Sequence, residues 1–254
     1  MVLIPAGPFF MGAPDQDHDA KDHEWPYHEV YLSSYYIDKY EVTAEQFCKF
    51  LSARGTYSDA QGHLFFREKN LDGNRAGPCL KNASGKWEPA QDRAKHPAAN
   101  ITRYGAQAYC QWEGRRLPTE AEWEKAARGG MPTRWHFGDD IQLLPDYAWH
   151  TAYSGSDTHP AGLKKPNQFG LYDMIGNAGE FVSDRYGFDY YSVSPKRDPQ
   201  GPDKGDSIVL RGCSDYGTML ATTRSSARVE MPQSHSGPLT GFRCAVSSSD
   251  PKAQ

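Results

Sequence analysis

Between Gly170 and Asp184 the sequence reads GLYDMIGNAGEFVSD, and its residue types could hold a cation. Asp173 and Glu180 bring carboxylate oxygens, while Gly176 and Ala178 are small enough for their main-chain carbonyls to turn inward. An all-oxygen set of this kind suits a hard cation, because calcium accepts mixed carboxylate and carbonyl ligands. Structural calcium is therefore the expected cofactor. The competing reading is a calcium-free turn in which Asp173 and Glu180 serve only as hydrogen-bond acceptors.

A second stretch, from Cys213 to His235, is rich in groups that hydrogen-bond. Asp215, Tyr216, Arg228, Glu230 and His235 are the candidate ligand-binding residues. No nucleophile, base and orienting group follow one another in a recognisable order, so no catalytic residue is assigned. Arg211, Arg228 and Arg243 read as clamps on carboxylates or loop carbonyls within the fold more than on a substrate. Cys213 has no adjoining His or Lys to lower its pKa and reads as a buried, inert thiol.

The elements that must position these groups are short. The chain has 254 residues, 24 Gly, 18 Pro and 13% aromatics, a composition that favours one loop-rich domain over residues 1–247, with a flexible tail over 248–254. Net charge is -4, with 28 basic and 32 acidic residues and no block of either sign, which argues against a nucleic-acid partner. No apolar run approaches the roughly 20 residues needed to cross a bilayer, so no membrane partner is expected. No basic and apolar leader is read at Met1, which favours the cytoplasm, or the periplasm or exterior where a leader has been removed. Five cysteines with no C-x-x-C spacing exclude a zinc knuckle.

Val2 to Met11 reads as an edge strand interrupted by proline, and HEVYLSSYYIDKYEV, beginning at His28, as half-buried strand. The acidic loop between them, residues 15–26, reads as solvated. Three helices are predicted: one capped at Thr43 with Gln46 completing a capping box, one over about 103–113, and one capped at Thr119 through Glu122 that stops at Gly129 and Gly130. Residues 55–100 read as turns with short strands.

The acidic turn, RRLPTEAEWEKAARGG at Arg115–Gly130, GFRCA at Gly241–Ala245 and VLIPAGPFFMG at Val2–Gly12 together resemble the formylglycine-generating enzyme, or sulfatase-modifying factor, family over nearly the whole chain. The resemblance implies an irregular, loop-rich α+β fold related to C-type lectin domains. It also implies calcium at Asp173, Gly176, Ala178 and Glu180, and a disulfide between Cys110 and Cys244, with two buried thiols as the alternative. A second calcium site of the family does not carry over, since Trp149 and His150 stand where an asparagine is expected; Asp157 alone could offer oxygen there.

Members of that family that oxidise a sulfatase cysteine use two cysteines to bind copper, and here Arg211–Arg228 reads RGCSDYGTMLATTRSSAR, with no cysteine after Cys213. The resemblance therefore leans towards a non-standard oxidase or tailoring enzyme without sulfatase-type copper chemistry. The alternative is a non-catalytic module that binds a peptide, a small molecule or a protein.

Overall fold

Each long helix begins at a threonine whose hydroxyl takes up an otherwise unpaired backbone N–H. In α1 (Ala44–Arg54), Thr43 Oγ1 accepts from Gln46 N–H, and Gln46 Oε1 accepts in return from Thr43 N–H at 2.9 Å. In α2 (Arg103–Trp112), Thr102 Oγ1 accepts from Gly105 N–H at 3.1 Å. In α3 (Glu120–Arg128), Thr119 and Glu122 make the same reciprocal pair as in α1. Each cap contributes about 1 kcal/mol. Left-handed Gly55 and Gly129 end α1 and α3.

These helices pack on small sheets in a computed structural model that describes residues 1–68, 77–155, 157–213 and 220–250. Strand β1 (Val2–Ile4) and β2 (Gly7–Met11) divide the N-terminal segment at Pro5 and Ala6, and β3 (His28–Leu32) and β4 (Tyr35–Ile37) divide the next. A short hairpin joins β5 (Cys79–Lys81) to β6 (Trp87–Pro89). The largest sheet is ordered β10-β7-β8-β9, from β7 (Gly179–Arg185), β8 (Ser207–Arg211), β9 (Val229–Pro232) and β10 (Thr240–Gly241). The last strand, β11 (Ala245–Ser247), pairs with β4, whose other edge holds β1. The architecture is mixed, loop-rich α and β, as expected. Among the described residues no helix is long and apolar enough to cross a membrane.

Two large apolar clusters fill most of the interior, with a smaller one around Trp135, Leu144 and Ile175. One joins α1, α2 and the 65–66 segment through Phe47, Phe50, Phe65, Tyr109 and Phe242. Gly105 lets α2 approach that segment, since a Cβ there would lie 2.1 Å from the Phe65 carbonyl oxygen. The other cluster gathers Ile4, Leu32, Ile37, Trp123 and Val209 around α3. The first cluster holds both disulfides: Cys110–Cys244 ties α2 to the C-terminal segment, and Cys48–Cys79 ties α1 to β5. The first link is one of the two readings left open by the sequence. A crosslink over a separation of 134 residues is worth about 4 to 5 kcal/mol in a chain-entropy model. The second pairing was not anticipated.

The acidic loop departs from expectation. Asp17 and Glu24 are buried, and both accept from the buried guanidinium of Arg224, at 2.6 to 2.8 Å. A charged loop can be drawn inside when an arginine from elsewhere matches it, and that arginine lies about 200 residues along the chain. At the other end, Ser248 N–H donates to the Ser34 carbonyl, so the chain remains attached past residue 247. The rest of the expected tail, residues 251–254, lies outside the described residues.

Two buried titratable groups should oppose one another as pH changes. Burial lowers the His136 imidazole to about 4, and neither ring nitrogen has a hydrogen-bond partner among the described residues. Because unfolding lets it regain a proton near its usual pKa, its contribution is intact above about 6.5 and is lost as pH falls towards 4. Burial, reinforced by Glu120, raises the Asp184 carboxyl to about 7. Its stabilisation is present near pH 4 and is lost as pH rises through 7. Relative to the parent, His136→Phe should therefore gain stability on acidification from pH 6.5 to 4, on the order of 3 kcal/mol. Asp184→Asn should gain on alkalinisation from pH 4 to 7. Urea unfolding across this range checks both signs.

Candidate functional site

The acidic turn is built from three residues in the left-handed region, Asp173, Gly176 and Asn177, with φ of 54°, 76° and 62°. Aspartate, glycine and asparagine tolerate that conformation better than other residues. Asp173 is buried; its Oδ2 accepts from Gly162 N–H at 2.7 Å, whereas Oδ1 has no hydrogen-bond partner among the described residues. Glu180, at the start of β7, accepts from Arg243 Nη2 at 2.7 Å and Nε at 2.8 Å, and from Trp123 Nε1 at 2.9 Å. Glu41, ahead of α1, closes the turn from the far side by accepting from Asn177 Nδ2 and Ala178 N–H at 2.7 and 2.9 Å.

Three buried carboxylates thus lie near Arg243, whose guanidinium is bonded to Glu180 and only electrostatically felt by Glu41 and Asp173. Burial, then Asp173 and Glu180, push the Glu41 carboxyl well above the usual carboxylate range, and burial also pushes Asp173 up. An unmatched buried carboxylate oxygen beside surplus acid fits a hard cation. Glu180 differs from the sequence expectation in having Arg243 already opposite it. Among the described residues no three His, Cys, Asp or Glu side chains converge as a metal centre.

The described candidate ligand-binding residues, Arg228, Glu230 and His235, have separate surroundings. Arg228 is buried with its Nε and Nη2 on Glu120 and its Nη1 on the His23 carbonyl, so it clamps the fold and does not present a donor to a ligand. Glu230 is exposed on β9. His235 is half-buried beside Thr240 Oγ1 at 3.1 Å, with burial and Arg67 lowering its pKa. Asp215 and Tyr216 lie outside the described residues.

Cys213 is buried, in neither disulfide, and packed against Gly179. A Cβ at Gly179 would lie 2.6 Å from its Sγ. The thiol thus occupies the space that a side chain at 179 would need. No cysteine stands between 214 and 227, and Cys48, Cys79, Cys110 and Cys244 are paired in disulfides. The soft thiolate pair that copper(I) favours is not formed by these residues.

No sequence signal marks a cleft of about 390 Å³ between α1, β5 and the 93–100 segment. Its floor is small and apolar, including Ala44, Pro78, Pro97 and Ala99, and its polar side carries Arg93, His96, Asn100, Asp157 and Thr158. Arg93 Nη1 and Nη2 reach the two Asp157 oxygens at 2.7 and 2.5 Å. His96 Nδ1 lies 3.0 Å from Thr158 Oγ1 and 3.3 Å from Arg93 Nη1. Since a guanidinium only donates, Nδ1 accepts and the hydrogen resides on Nε2. Burial and Arg93 lower the His96 pKa, which keeps this tautomer neutral. Asp157, once a conceivable cation ligand, is committed to Arg93.

The Thr-capped helices, the acidic turn and the doubly clamped Glu120 belong to a defined class. The chain is a member of the sulfatase-modifying factor enzyme 1-like domain family, whose model matches residues 1–248. It is 36% identical over 248 residues to the serine/threonine-protein kinase pkn1 of Chlamydia caviae, covering 96% of this chain and 37% of that protein, so it spans little more than a third of that relative. It is 36% identical over 281 residues to the formylglycine-generating enzyme of Streptomyces coelicolor, covering 96% and 88%. It is 31% identical to the inactive C-alpha-formylglycine-generating enzyme 2 of Mus musculus, covering 99% and 87%. The solved structure of PvdO from Pseudomonas aeruginosa is similar at a TM-score of 0.79 and 28% identity, covering 96% and 93%.

The Gly179–Cys213 contact should behave as a coupled pair. Gly179→Ala should destabilise by about 1 to 3 kcal/mol through overpacking, and Cys213→Gly in the same chain should recover part of that loss. A double-mutant cycle by urea unfolding measures it, and effects that simply add would show that sulfur is not the obstacle.

Proposed function

We propose that this protein is a ligand-binding member of the family that does not oxidise cysteine through a copper(I) thiolate pair. The observation that carries the reading is the cysteine inventory: four thiols are spent in disulfides and the fifth fills the space over Gly179. The alternative of an acid–base enzyme is less well supported, because buried carboxyls such as Glu41, pushed well up by burial, and Glu120, held down by arginines, have internal partners. The similar mouse protein whose name marks it inactive is consistent with loss of activity on this scaffold. The cleft over Pro97 and Ala99 is the proposed binding site, of a size and lining suited to a short extended peptide.

Two experiments test this. Incubation of the copper-treated protein with a cysteine-containing sulfatase peptide should leave the cysteine unchanged by mass spectrometry. Selection from a random peptide library should give binders that lose at least tenfold in affinity on Ala99→Trp, whose indole would fill the cleft. Oxidation of the peptide, or binders indifferent to residue 99, would overturn the reading.

Calcium is proposed as a structural cofactor held by Asp173, Gly176, Ala178 and Glu180, where it would offset buried negative charge and brace the turn. Stoichiometric calcium by elemental analysis is expected, with Tm falling on chelation in the parent and changing much less in Asp173→Ala. Equal Tm with and without chelator would remove calcium from the account.

A further inference from the structure

The Arg93–Asp157 pair at the cleft is an exposed arrangement with an unusual composition. Arg93 and Asp157 side chains retain 38% and 60% of their exposure, yet the carboxylate sits bidentate on the guanidinium, the geometry by which arginine recognises a free carboxylate. Among the described residues its other acceptor role is local, with Thr158 N–H donating to Asp157 Oδ1 at 2.8 Å. Beside it, His96 is fixed by Thr158 and Arg93 in the tautomer that carries hydrogen on Nε2, and His96 lines the cleft. Next to these polar groups the lining is mostly proline and alanine, with Gly77 and Leu80.

We infer that the cleft recognises a carboxylate on a short peptide ligand, received by Arg93 with His96 supplying a neutral N–H donor, and that Asp157 occupies the same guanidinium as an internal competitor. This rests on the reading of the cleft as the ligand site and adds the chemistry of what enters it. A ligand carboxylate displaces one that is already more than half exposed, so the exchange breaks no buried contact. The carboxylate can come from a free C-terminus or from an acidic side chain; the cleft chemistry is shared, and the probes separate the sources.

The test is a chemical-shift titration of isotope-labelled protein with three N-acetylated dipeptides: Ac-Ala-Ala-OH, its C-terminal amide, and Ac-Ala-Asp-NH2. Removing the competitor with Asp157→Asn, which keeps an oxygen for Thr158 N–H, should tighten binding of at least one acid probe tenfold or more over the parent. The neutral amide should gain nothing, and adding Arg93→Gln should abolish the gain. Preference for the first probe assigns a C-terminus, and for the third an acidic side chain. The inference is overturned if Asp157→Asn, shown folded by an unchanged thermal transition, binds no acid more tightly, or if the amide gains equally. Should library peptides still bind through residue 99 in that event, the cleft reading stands and only the carboxylate is wrong; should they not, both fall together.

Discussion

Helix α3 is buried along its whole length although five of its nine residues, Glu120, Glu122, Glu124, Lys125 and Arg128, are charged. Its charges must therefore be met inside the protein. Arg211 answers Glu120 and Glu124 at 3.2 and 2.7 Å, Arg228 adds a fork on Glu120, and Arg128 returns to Glu124 one turn along the helix. Arg211 also donates to the Ser225 and Ser226 carbonyls, which fixes the segment leading from the Cys213 region towards β9. Removing one partner from such a set leaves a buried charge uncompensated, a loss of about 3 to 5 kcal/mol in comparable sites. Replacing an entire set with apolar residues is often tolerated, so these pairs are better understood as setting which loops may dock than as a large net source of stability.

That constraint reaches the acidic turn and the loop ends. Arg224 lies three residues before Ala227 and draws the 17–24 loop in, while Arg243, just before the cysteine of the long disulfide, holds Glu180 and reaches the Tyr172 carbonyl. The arginines of one C-terminal stretch thus stitch segments from the start, middle and end of the chain. Loops on such a frame can vary in function while their roots stay fixed.

How much of this was legible in the sequence depends on the range of the interaction. The three helices, and the threonine caps of α1 and α3, were readable because a cap and its partner stand three residues apart, and glycine stops are local as well; the Thr102 cap of α2 went unread. The turn residues at 173–180 were readable for the same reason. Asp17 and Glu24 looked like solvent-facing acids because nothing within reach in the sequence marks Arg224 as their partner. Glu41 was missed at the turn, and Arg93, His96 and Asp157 at the cleft, because they meet across 62 to 136 residues of intervening chain. The Cys48–Cys79 link had a signal in an inward cysteine beside Phe47, but spacing could not choose its partner from Cys79 and Cys213.

Strand β4 carries β1 on one edge and β11 on the other, with Ile37 opposite both Val2 and Ala245. First and last strands therefore lie about 10 Å apart, two strand spacings across a single sheet. A domain whose entry and exit are neighbours can be set into a longer polypeptide like a bead on a looped thread, displacing the host chain by scarcely more than the width of that sheet. The geometry is compatible with the way the matching region occupies only 37% of the chlamydial relative.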